Sequence, residues 1–407
     1  MKVGIGFCDE WDAFVSGRKS AAEAIERGDI ERPDCTLAFC HGQMSHEEFL
    51  RGILSITGEG VPVLGGSAIG VITNDHLSYE GHPSAVAVFQ WESVLCRFEV
   101  AKILNGDAKS AGRELVRRLS SRESDRLLLI FYDSIQVPSG GTNGPVLNAS
   151  SLVVQGIEQE VDPGTPLVGA GLIGDYSFGP VHQFCGGMIS NQSIIGLMLG
   201  GAITPFCRIM HGCTPLDGRY HTITRMEGSS IFELDGRPVV EMIDEIYGNR
   251  VWRLQHPVHL LALGVNHGER WGTPRESEYV NRLIAGILPD GSGVSLFETD
   301  FQLGEEIQFM IRDNNTMVES AARNSLELME DIEKSGKRPH FALYIDCAGR
   351  ASAHSNAVVE EAWEVQKALN SHGIPLLGFY SGVEIAPLLR KSRGLDWTGV
   401  LIVLAGD

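Results

Sequence analysis

The sequence is poor in basic residues and contains no long apolar run. It has 33 Lys and Arg against 52 Asp and Glu, which gives a formal net charge of −19. Nucleic acid and anionic membrane surfaces are therefore unfavourable partners, because both attract proteins through positive charge. No stretch reaches the ~18 apolar residues of a membrane-spanning helix. We expect no membrane span and no nucleic-acid binding.

The sequence also lacks the marks of secretion. Residues 1–12 turn acidic without a long apolar segment, unlike a signal peptide. The chain contains eight cysteines, and without a secretory signal these are expected to be free thiols rather than a disulfide framework. We therefore expect a cytoplasmic protein.

Several signature motifs of enzymes and metal sites are missing. There is no G-x-x-x-x-G-K-[ST], no G-x-S-x-G and no G-x-G-x-x-G that opens a predicted helix. The groups Cys207, His211, Cys213 and His182, Cys185 lack the paired spacing of a structural zinc site. No C-x-x-C-H motif for covalent haem occurs, but non-covalent haem b on a single ligand, His182 or His211, stays open.

One short phrase occurs three times along the chain. Each copy follows an apolar run and a stretch with helical periodicity, and a further apolar run comes after it. The copies are VPVLGGSAIGVI (61–72), TPLVGAGLIGDY (165–176) and IPLLGFYSGVEI (374–385). The pattern predicts repeated strand–helix–strand units, and these lie at 35–91, 126–200 and 340–406. In the second unit a glycine-rich loop, 138–145, follows the first strand.

These units predict an α/β fold. A strand–helix–strand crossover sets its two strands parallel in one sheet, so we expect mixed, largely parallel sheets. Residues 293–313 alternate in polarity and predict an antiparallel hairpin, while 314–337 and 356–373 have helical periodicity. A chain of 407 residues exceeds one ordinary core. We place a domain boundary between 1–245 and 246–407.

The third unit carries the richest chemistry. Ligands of parallel sheets lie beyond the carboxyl ends of the strands, which here carry DCAGR (346–350) and GFYSGVE (378–384). Arg350 is predicted to be a fork for a carboxylate or phosphate. Glu384 is predicted to receive an amine or to pair with Arg350. The alternative is that the two residues form a purely structural ion pair.

The same turns supply the other candidate ligand-binding residues. Tyr380 and Ser381 offer hydroxyl groups, and Cys347 and Gly378 belong to the predicted wall. When the repeated phrases are aligned, Asp175 of the second unit takes the position of Glu384 in the third. Such a site suits an amino acid or another small carboxylate.

A cysteine-dependent enzyme is a further hypothesis. Cys347 precedes Arg350 by three positions, and His354 follows, so a Cys/His nucleophile pair is one interpretation. The alternative is that Cys347 is a small buried residue at a strand end.

The order of several motifs along the chain resembles the FIST family, which has an N-terminal and a C-terminal FIST domain. The motifs are GIGF, VLGGSAIGVI, HGCTPL (211–216), IFELDGRPVVEMIDE (231–245), IDCAGR and GFYSGVEIAPL (378–388). The resemblance covers essentially the whole chain. One departure is Val383, which separates Gly382 from Glu384 where the family usually has Gly-Glu-Ile.

The resemblance implies a sensory domain that binds a small molecule, amino acids being the usual suggestion. Some family members resemble haem proteins that sense nitric oxide and act on a histidine kinase. We therefore expect a sensor that acts in trans on a partner such as a histidine kinase or a cyclase. A homodimer, and a scaffold that only builds interaction surface, are alternatives that the sequence leaves open.

Overall fold

A computed structural model describes residues 1–138 and 146–407. From residue 139 onward, the glycine-rich loop predicted at 138–145 lies outside the described residues. Up to residue 138 the elements are β1 (Lys2–Asp9), α1 (Ala13–Gly28), β2 (Cys35–His41), α2 (His46–Thr57), β3 (Val63–Ala68), β4 (Val71–Thr73), β5 (Leu77–Ser78), β6 (Pro83–Gln90), β7 (Val94–Lys102), α3 (Ala108–Leu119), β8 (Asp125–Asp133) and β9 (Ile135–Val137).

The middle of the chain continues the same alternation and then becomes mostly strand. Its elements are β10 (Val146–Leu147), α4 (Ser150–Glu158), β11 (Leu167–Leu172), β12 (Gln183–Gly186), β13 (Met188–Ser190), β14 (Ser193–Gly201), β15 (Thr204–Met210), β16 (Thr214–Pro215), β17 (His221–Glu227), β18 (Ser230–Leu234), β19 (Arg237–Pro238) and α5 (Val239–Tyr247).

The last part of the chain completes a strand-rich region and ends in a third α/β unit. Its elements are β20 (Leu261–Asn266), β21 (Tyr279–Ile287), β22 (Val294–Leu296), β23 (Glu306–Ile311), α6 (Asn314–Lys334), β24 (Arg338–Cys347), α7 (Ser352–Ser355), α8 (Ala362–Ser371), β25 (Leu376–Ser381), β26 (Val383–Leu388), β27 (Lys391–Leu395) and β28 (Gly399–Gly406).

Three six-stranded sheets share one plan. Their strand orders are β1-β6-β2-β3-β12-β13, β7-β14-β8-β11-β26-β27 and β15-β28-β24-β25-β4-β5. Each has one parallel pair at its centre, β2–β3, β8–β11 or β24–β25, and its other pairs are antiparallel. The predicted α/β fold with repeated units is confirmed. The sheets are mixed, but the prediction that they are largely parallel is wrong. Only the central strand pair of each six-stranded sheet is parallel, because the flanking strands return as antiparallel neighbours.

The registers of the parallel pairs align the three units residue by residue. The last pair is His41 with Ala68 in the first sheet, Asp133 with Leu172 in the second and Cys347 with Ser381 in the third. His41, Asp133 and Cys347 are therefore equivalent positions at the carboxyl ends of equivalent strands.

Each unit gives one hairpin to a neighbouring sheet. Hairpin β4–β5 of the first unit extends the third sheet, β12–β13 of the second extends the first, and β26–β27 of the third extends the second. The exchange is cyclic, and we call these three segments the exchanged hairpins. Two sheets therefore combine strands from both sides of position 245, and the proposed division at that position stays a prediction.

The three sheets pack around a central aromatic cluster. The ring of Phe39 on β2 stacks on that of Phe379 on β25, with centroids 3.8 Å apart, and meets Phe131 on β8 edge-on at 5.3 Å. All three side chains are fully buried. By register, Gly66 and Ala170 occupy the positions equivalent to Phe379. At this equivalent position the three sheets thus contribute one large side chain, Phe379, and two small residues. The small residues leave room for the Phe379 ring beside Phe39 and Phe131, as close packing requires.

A closed barrel is inserted between β15 and α6. Strands β16 to β23 form it in the order β16-β23-β17-β18-β22-β21-β20, and β20 also pairs with β23. The predicted hairpin at 293–313 is wrong, since β22 pairs with β18 and β21 while β23 pairs with β17 and β20. The intervening residues leave the barrel sheet, and Glu298 among them contacts Ser150 at the start of α4.

The remaining helix predictions differ only at one end. Helix α6 agrees with the predicted 314–337. The predicted helix at 356–373 begins only at Ala362, because Asn356 has a left-handed backbone (φ 59°) and the Glu361 side chain is buried against Arg350. In the described part of the chain, no helix is both long enough and apolar enough to cross a membrane.

Candidate functional site

A cavity of about 390 Å³ lies where the second and third sheets meet the barrel. Ser134 and Ile173 follow β8 and β11 of the second sheet, and Cys347 and Ser381 end β24 and β25 of the third. Leu283 on β21 belongs to the barrel wall. The cavity therefore lies at the carboxyl ends of two parallel strand pairs, which is where ligands bind in such sheets.

Two of the predicted site residues line this cavity. Cys347 and Ser381 are neighbours across the parallel pair β24–β25. The Ser381 hydroxyl lies 2.7 Å from Glu384 Oε1 and 3.1 Å from the carbonyl oxygen of Asp346, so its proton is used inside the protein.

Arg350 lies behind the cavity wall and does not contact Glu384. Its guanidinium donates from Nε to Asp346 at 3.0 Å, from Nη2 to Glu361, and from Nη1 to the carbonyl oxygens of His211 and Trp397. The side chain has no exposed surface. The predicted pairing of Arg350 with Glu384 is therefore wrong, because two other carboxylates and two carbonyl groups already accept hydrogen bonds from the guanidinium.

Glu384 is buried on the far side of Ser381. It accepts hydrogen bonds from Ser381 and from the backbone N–H of Thr398 at 3.3 Å. Burial raises the pKa of this carboxyl well above its ordinary value. Glu384 therefore holds Ser381 in the cavity wall, and its burial favours the protonated, neutral carboxyl group.

The other predicted residues do not line the cavity. The Tyr380 side chain is buried, and its hydroxyl has no hydrogen-bond partner among the described residues. At Gly378 an added Cβ would lie 2.7 Å from the carbonyl oxygen of Tyr344, so this glycine serves strand packing. Asp175 lies in a loop, where it accepts hydrogen bonds from Ser177 and Gly179.

Arg312, a residue that was not predicted from the sequence, is the one Lys or Arg side chain among the described residues that line the cavity. The side chain is buried, and no carboxylate within residues 1–138 and 146–407 forms an ion pair with it. Its guanidinium carbon lies 3.8 Å from the ring centroid of Trp397. Nη1 donates a hydrogen bond to the Val258 carbonyl at 3.4 Å, and buried Nε has no acceptor. Burial lowers the pKa of this guanidinium.

Trp397 is held in an unusual backbone conformation. Its φ is 54°, a region that bulky residues rarely adopt and that costs about 1–3 kcal/mol. The side chain is buried and lines the cavity. Strain of this kind persists where the surrounding structure fixes it, and here it keeps an indole ring under a buried cation.

Two carboxyl groups also line the cavity. Glu298 accepts hydrogen bonds from the backbone N–H groups of Ser150 and Ser151, at 2.9 and 3.1 Å, at the N-terminus of α4. Asp396 accepts one from the backbone N–H of Leu283 at 3.0 Å, and burial raises the pKa of its carboxyl to about 7. The cavity thus contains acidic groups as well as a cation.

The histidines proposed as haem ligands do not line this cavity. Both ring nitrogens of His211 are engaged, Nε2 with the Glu276 carbonyl and Nδ1 with the Cys213 N–H. The Nδ1 of His182 is buried without a partner, and its ring lies 4.8 Å from that of His46. The surroundings of His211 do not fit a haem, because both of its ring nitrogens are already engaged and neither is free to bind iron. Across the described ranges, no cluster of His, Cys, Asp or Glu could hold a metal ion.

Cys347 is poorly suited to act as a nucleophile. Burial, together with the nearby Glu384, raises the pKa of its thiol well above the ordinary value. His354 does not hydrogen-bond to it; its ring stacks on Tyr176 with centroids 3.6 Å apart. The thiol is therefore kept protonated and forms part of the wall.

Comparison with solved structures finds only distant likenesses. A chorismatase shares 12% identity, covering 93% of this chain and 95% of that one, with a TM-score of 0.33. A cyanuric acid hydrolase from A. caulinodans shares 11% identity over 100% and 99%, with a TM-score of 0.35. Phosphoribosylformylglycinamidine synthase II from Thermotoga maritima shares 10% over 99% and 71%, at 0.23. These scores carry no argument about function. A search of curated proteins finds no match.

Comparison with family models gives a clear result. The FIST N domain matches residues 34–237, and the FIST C domain matches residues 240–387. Together they span both sequence repeats of the first half, the barrel and most of the third unit. The chain therefore belongs to the FIST family, whose domains are small-ligand sensory domains of signal transduction.

Proposed function

We propose that this protein senses a small organic carboxylate, which binds to Arg312 in the cavity between the sheets and the barrel. The observation that carries the proposal is that Arg312 is a buried cation in a cavity wall without a carboxylate partner among the described residues. Burying an uncompensated charge is expensive. A ligand carboxylate would supply the missing counter-charge and two acceptor oxygens.

The neighbours of Arg312 favour such a ligand over a merely structural role. Trp397 contacts the guanidinium through its ring and Val258 through one carbonyl, which leaves Nε without an acceptor. The contrast with Arg350 is informative, because that equally buried guanidinium is fully supplied by the protein. A free fork in a cavity is suited to bidentate recognition.

The acidic groups extend the proposal to amino acids. Asp396 and Glu298 line the same cavity, and either could accept a hydrogen bond from a ligand ammonium group. A zwitterion would then place its carboxylate at Arg312 and its amine at the acidic wall. Simple carboxylates use only the first of these contacts, so both classes belong in one screen.

The second part of the proposal is that the sensor acts in trans on an output protein such as a histidine kinase or a cyclase. Membership of a signal-transduction family supports it. Its test is whether adding the ligand identified below changes the activity of a kinase or cyclase mixed with this protein.

The ligand itself is tested by thermal-shift screening of amino acids and small carboxylates, followed by calorimetry. We expect at least one compound to stabilise the protein, and Arg312→Gln to abolish that stabilisation. Arg126→Gln is the matched control, because Arg126 is exposed and remote from the cavity. An equal shift in the Arg312 variant would refute the assignment.

A further inference from the structure

Resting on the carboxylate site proposed above, we infer that the ligand carries an apolar body, best an aromatic ring, close to its carboxylate. The class is an aryl- or branched-alkyl-substituted short carboxylic acid, with or without an α-amino group. The inference concerns the part of the cavity that does not contact Arg312, and it depends on three observations about the walls.

The first observation is the composition of the walls. Four aromatic rings, those of Tyr176, Phe178, Phe297 and Trp397, line the cavity. Four aliphatic side chains, those of Leu147, Ile173, Leu283 and Val383, lie in the same wall. Apolar surface of this extent is stabilised by apolar ligand surface at roughly 25 cal/mol per Å², and ring–ring contacts add to it.

The second observation is that three of the polar side chains in the cavity wall are already engaged with the protein. Ser134 Oγ donates to the Leu172 carbonyl at 2.6 Å, Asn148 Nδ2 donates to the Asp133 carbonyl at 2.8 Å, and the Ser381 hydroxyl proton is used as described. A sugar acid or a polyhydroxylated ligand needs partners for each hydroxyl. Ser134, Asn148 and Ser381 do not offer those partners, so hydroxyl groups beside the apolar part of the wall would stay unpaired and weaken binding.

The third observation is size. A water molecule takes up about 30 Å³ in the liquid, so the 390 Å³ cavity corresponds to about a dozen such volumes. An acid with about a dozen non-hydrogen atoms fills it, whereas acetate would leave most of the apolar wall in contact with water or empty space. Phenylacetate and indole-3-acetate have this size and polarity.

The experiment is calorimetric titration of the full chain with a series of probes. Acetate, isovalerate, phenylacetate and indole-3-acetate increase the apolar body at constant charge, gluconate supplies a hydroxylated body, and phenylacetamide removes the charge. We expect affinity to rise at least tenfold from acetate to phenylacetate, and gluconate to bind no more tightly than acetate. Phenylacetamide should bind at least tenfold more weakly than phenylacetate.

A variant of the apolar wall separates this inference from the proposed function. Phe178 has a φ of 55°, which asparagine tolerates, so Phe178→Asn removes a ring while preserving the turn. It should weaken phenylacetate at least fivefold and leave acetate unchanged. Gluconate binding as tightly as phenylacetate in the wild-type chain, with both lost in Arg312→Gln, would overturn the apolar class and leave the carboxylate site standing. If no carboxylate binds through Arg312, both fail.

Discussion

The guanidinium carbon of Arg312 lies 3.8 Å from the centre of the Trp397 ring, and both side chains are buried at the same cavity, with 7% and 4% of their surfaces exposed. A desolvated cation–π contact is worth about 2 kcal/mol, less than the cost of burying an unpaired charge. The unliganded protein therefore keeps a charge at a net energetic cost, and a carboxylate ligand would recover that cost.

Replacing Arg312 by an apolar residue should therefore stabilise the unliganded protein. We expect Arg312→Met to raise the free energy of unfolding by about 1 kcal/mol or more, since the buried charge is removed and the volume is kept. The same variant should show no stabilisation by carboxylates. Urea unfolding with and without ligand measures both effects, and a clear loss of stability in the unliganded variant would contradict the prediction.

Arg350 should behave in the opposite way, because two buried carboxylates depend on it. Arg350→Met leaves Asp346 and Glu361 without their cation and should lower the free energy of unfolding by about 3–5 kcal/mol. Arg219→Ala, which breaks an exposed pair with Asp217, is the control and should cost no more than about 0.5 kcal/mol. Similar losses in the two variants would contradict this account.

Asp396 predicts a specific pH dependence of stability. Its folded-state pKa, raised by burial to about 7, exceeds the ordinary value of 3.8. Its contribution is therefore fully present below about pH 4 and is lost as the pH rises through about 7. The free energy of unfolding of Asp396→Asn should rise relative to that of the wild type as the pH increases from about 4 to about 7. Above pH 7 the difference between the two proteins should stay constant. Unfolding curves from pH 4 to 8 test this, and a parallel pH profile in both proteins would exclude the mechanism.

Cys347 should react slowly with alkylating reagents. Burial raises the pKa of its thiol, whereas a hydrogen bond from Cys35 lowers the pKa of the partly exposed Cys96. Mass spectrometry after iodoacetamide treatment at pH 8 should find Cys96 modified first and Cys347 only after unfolding. Rapid labelling of Cys347 in the folded protein would restore the cysteine-enzyme hypothesis.

The central aromatic cluster should be sensitive to truncation. Phe379→Ala removes a fully buried ring that packs on Phe39 and should cost about 3–5 kcal/mol, while Phe379→Leu should cost about 1.5 kcal/mol or less. Leu326→Ala on the exposed face of α6 is the control, with little expected change. Chemical denaturation of the three variants gives the comparison, and equal costs for the two Phe379 variants would argue against close packing at the centre.

Local features of the fold were predictable from the sequence, while the joining of the units was not. Each copy of the repeated phrase contains a complete strand with its hydrophobic pattern and a glycine, so the three units could be recognised from local sequence. The destination of each exchanged hairpin depends on contacts such as Val71 with Phe379, about three hundred residues apart in the chain, and nothing local specifies that pairing.

The site was predicted in part for the same reason. Cys347 and Ser381 could be found because they end adjacent parallel strands of one repeat. Arg312 could not, because it belongs to the barrel and meets the sheets only through tertiary packing. Its one local signal is its place directly after the mostly apolar strand IQFMI at 307–311. The polarity pattern of that strand does not explain a charged residue there. The pairing of Arg350 was predicted wrongly, because its partner Glu361 lies in an irregular segment before α8, outside the repeated phrase.

The cyclic exchange of hairpins has a consequence for how this chain can be divided. A fragment ending at residue 245 would lack β26–β27 and leave the edge of β11 open, and a fragment beginning at 246 would retain only β28, β24 and β25 of its sheet. Open edges of this kind pair with other chains and aggregate. We therefore expect each of the two halves that family models distinguish to be aggregation-prone when it is produced by itself.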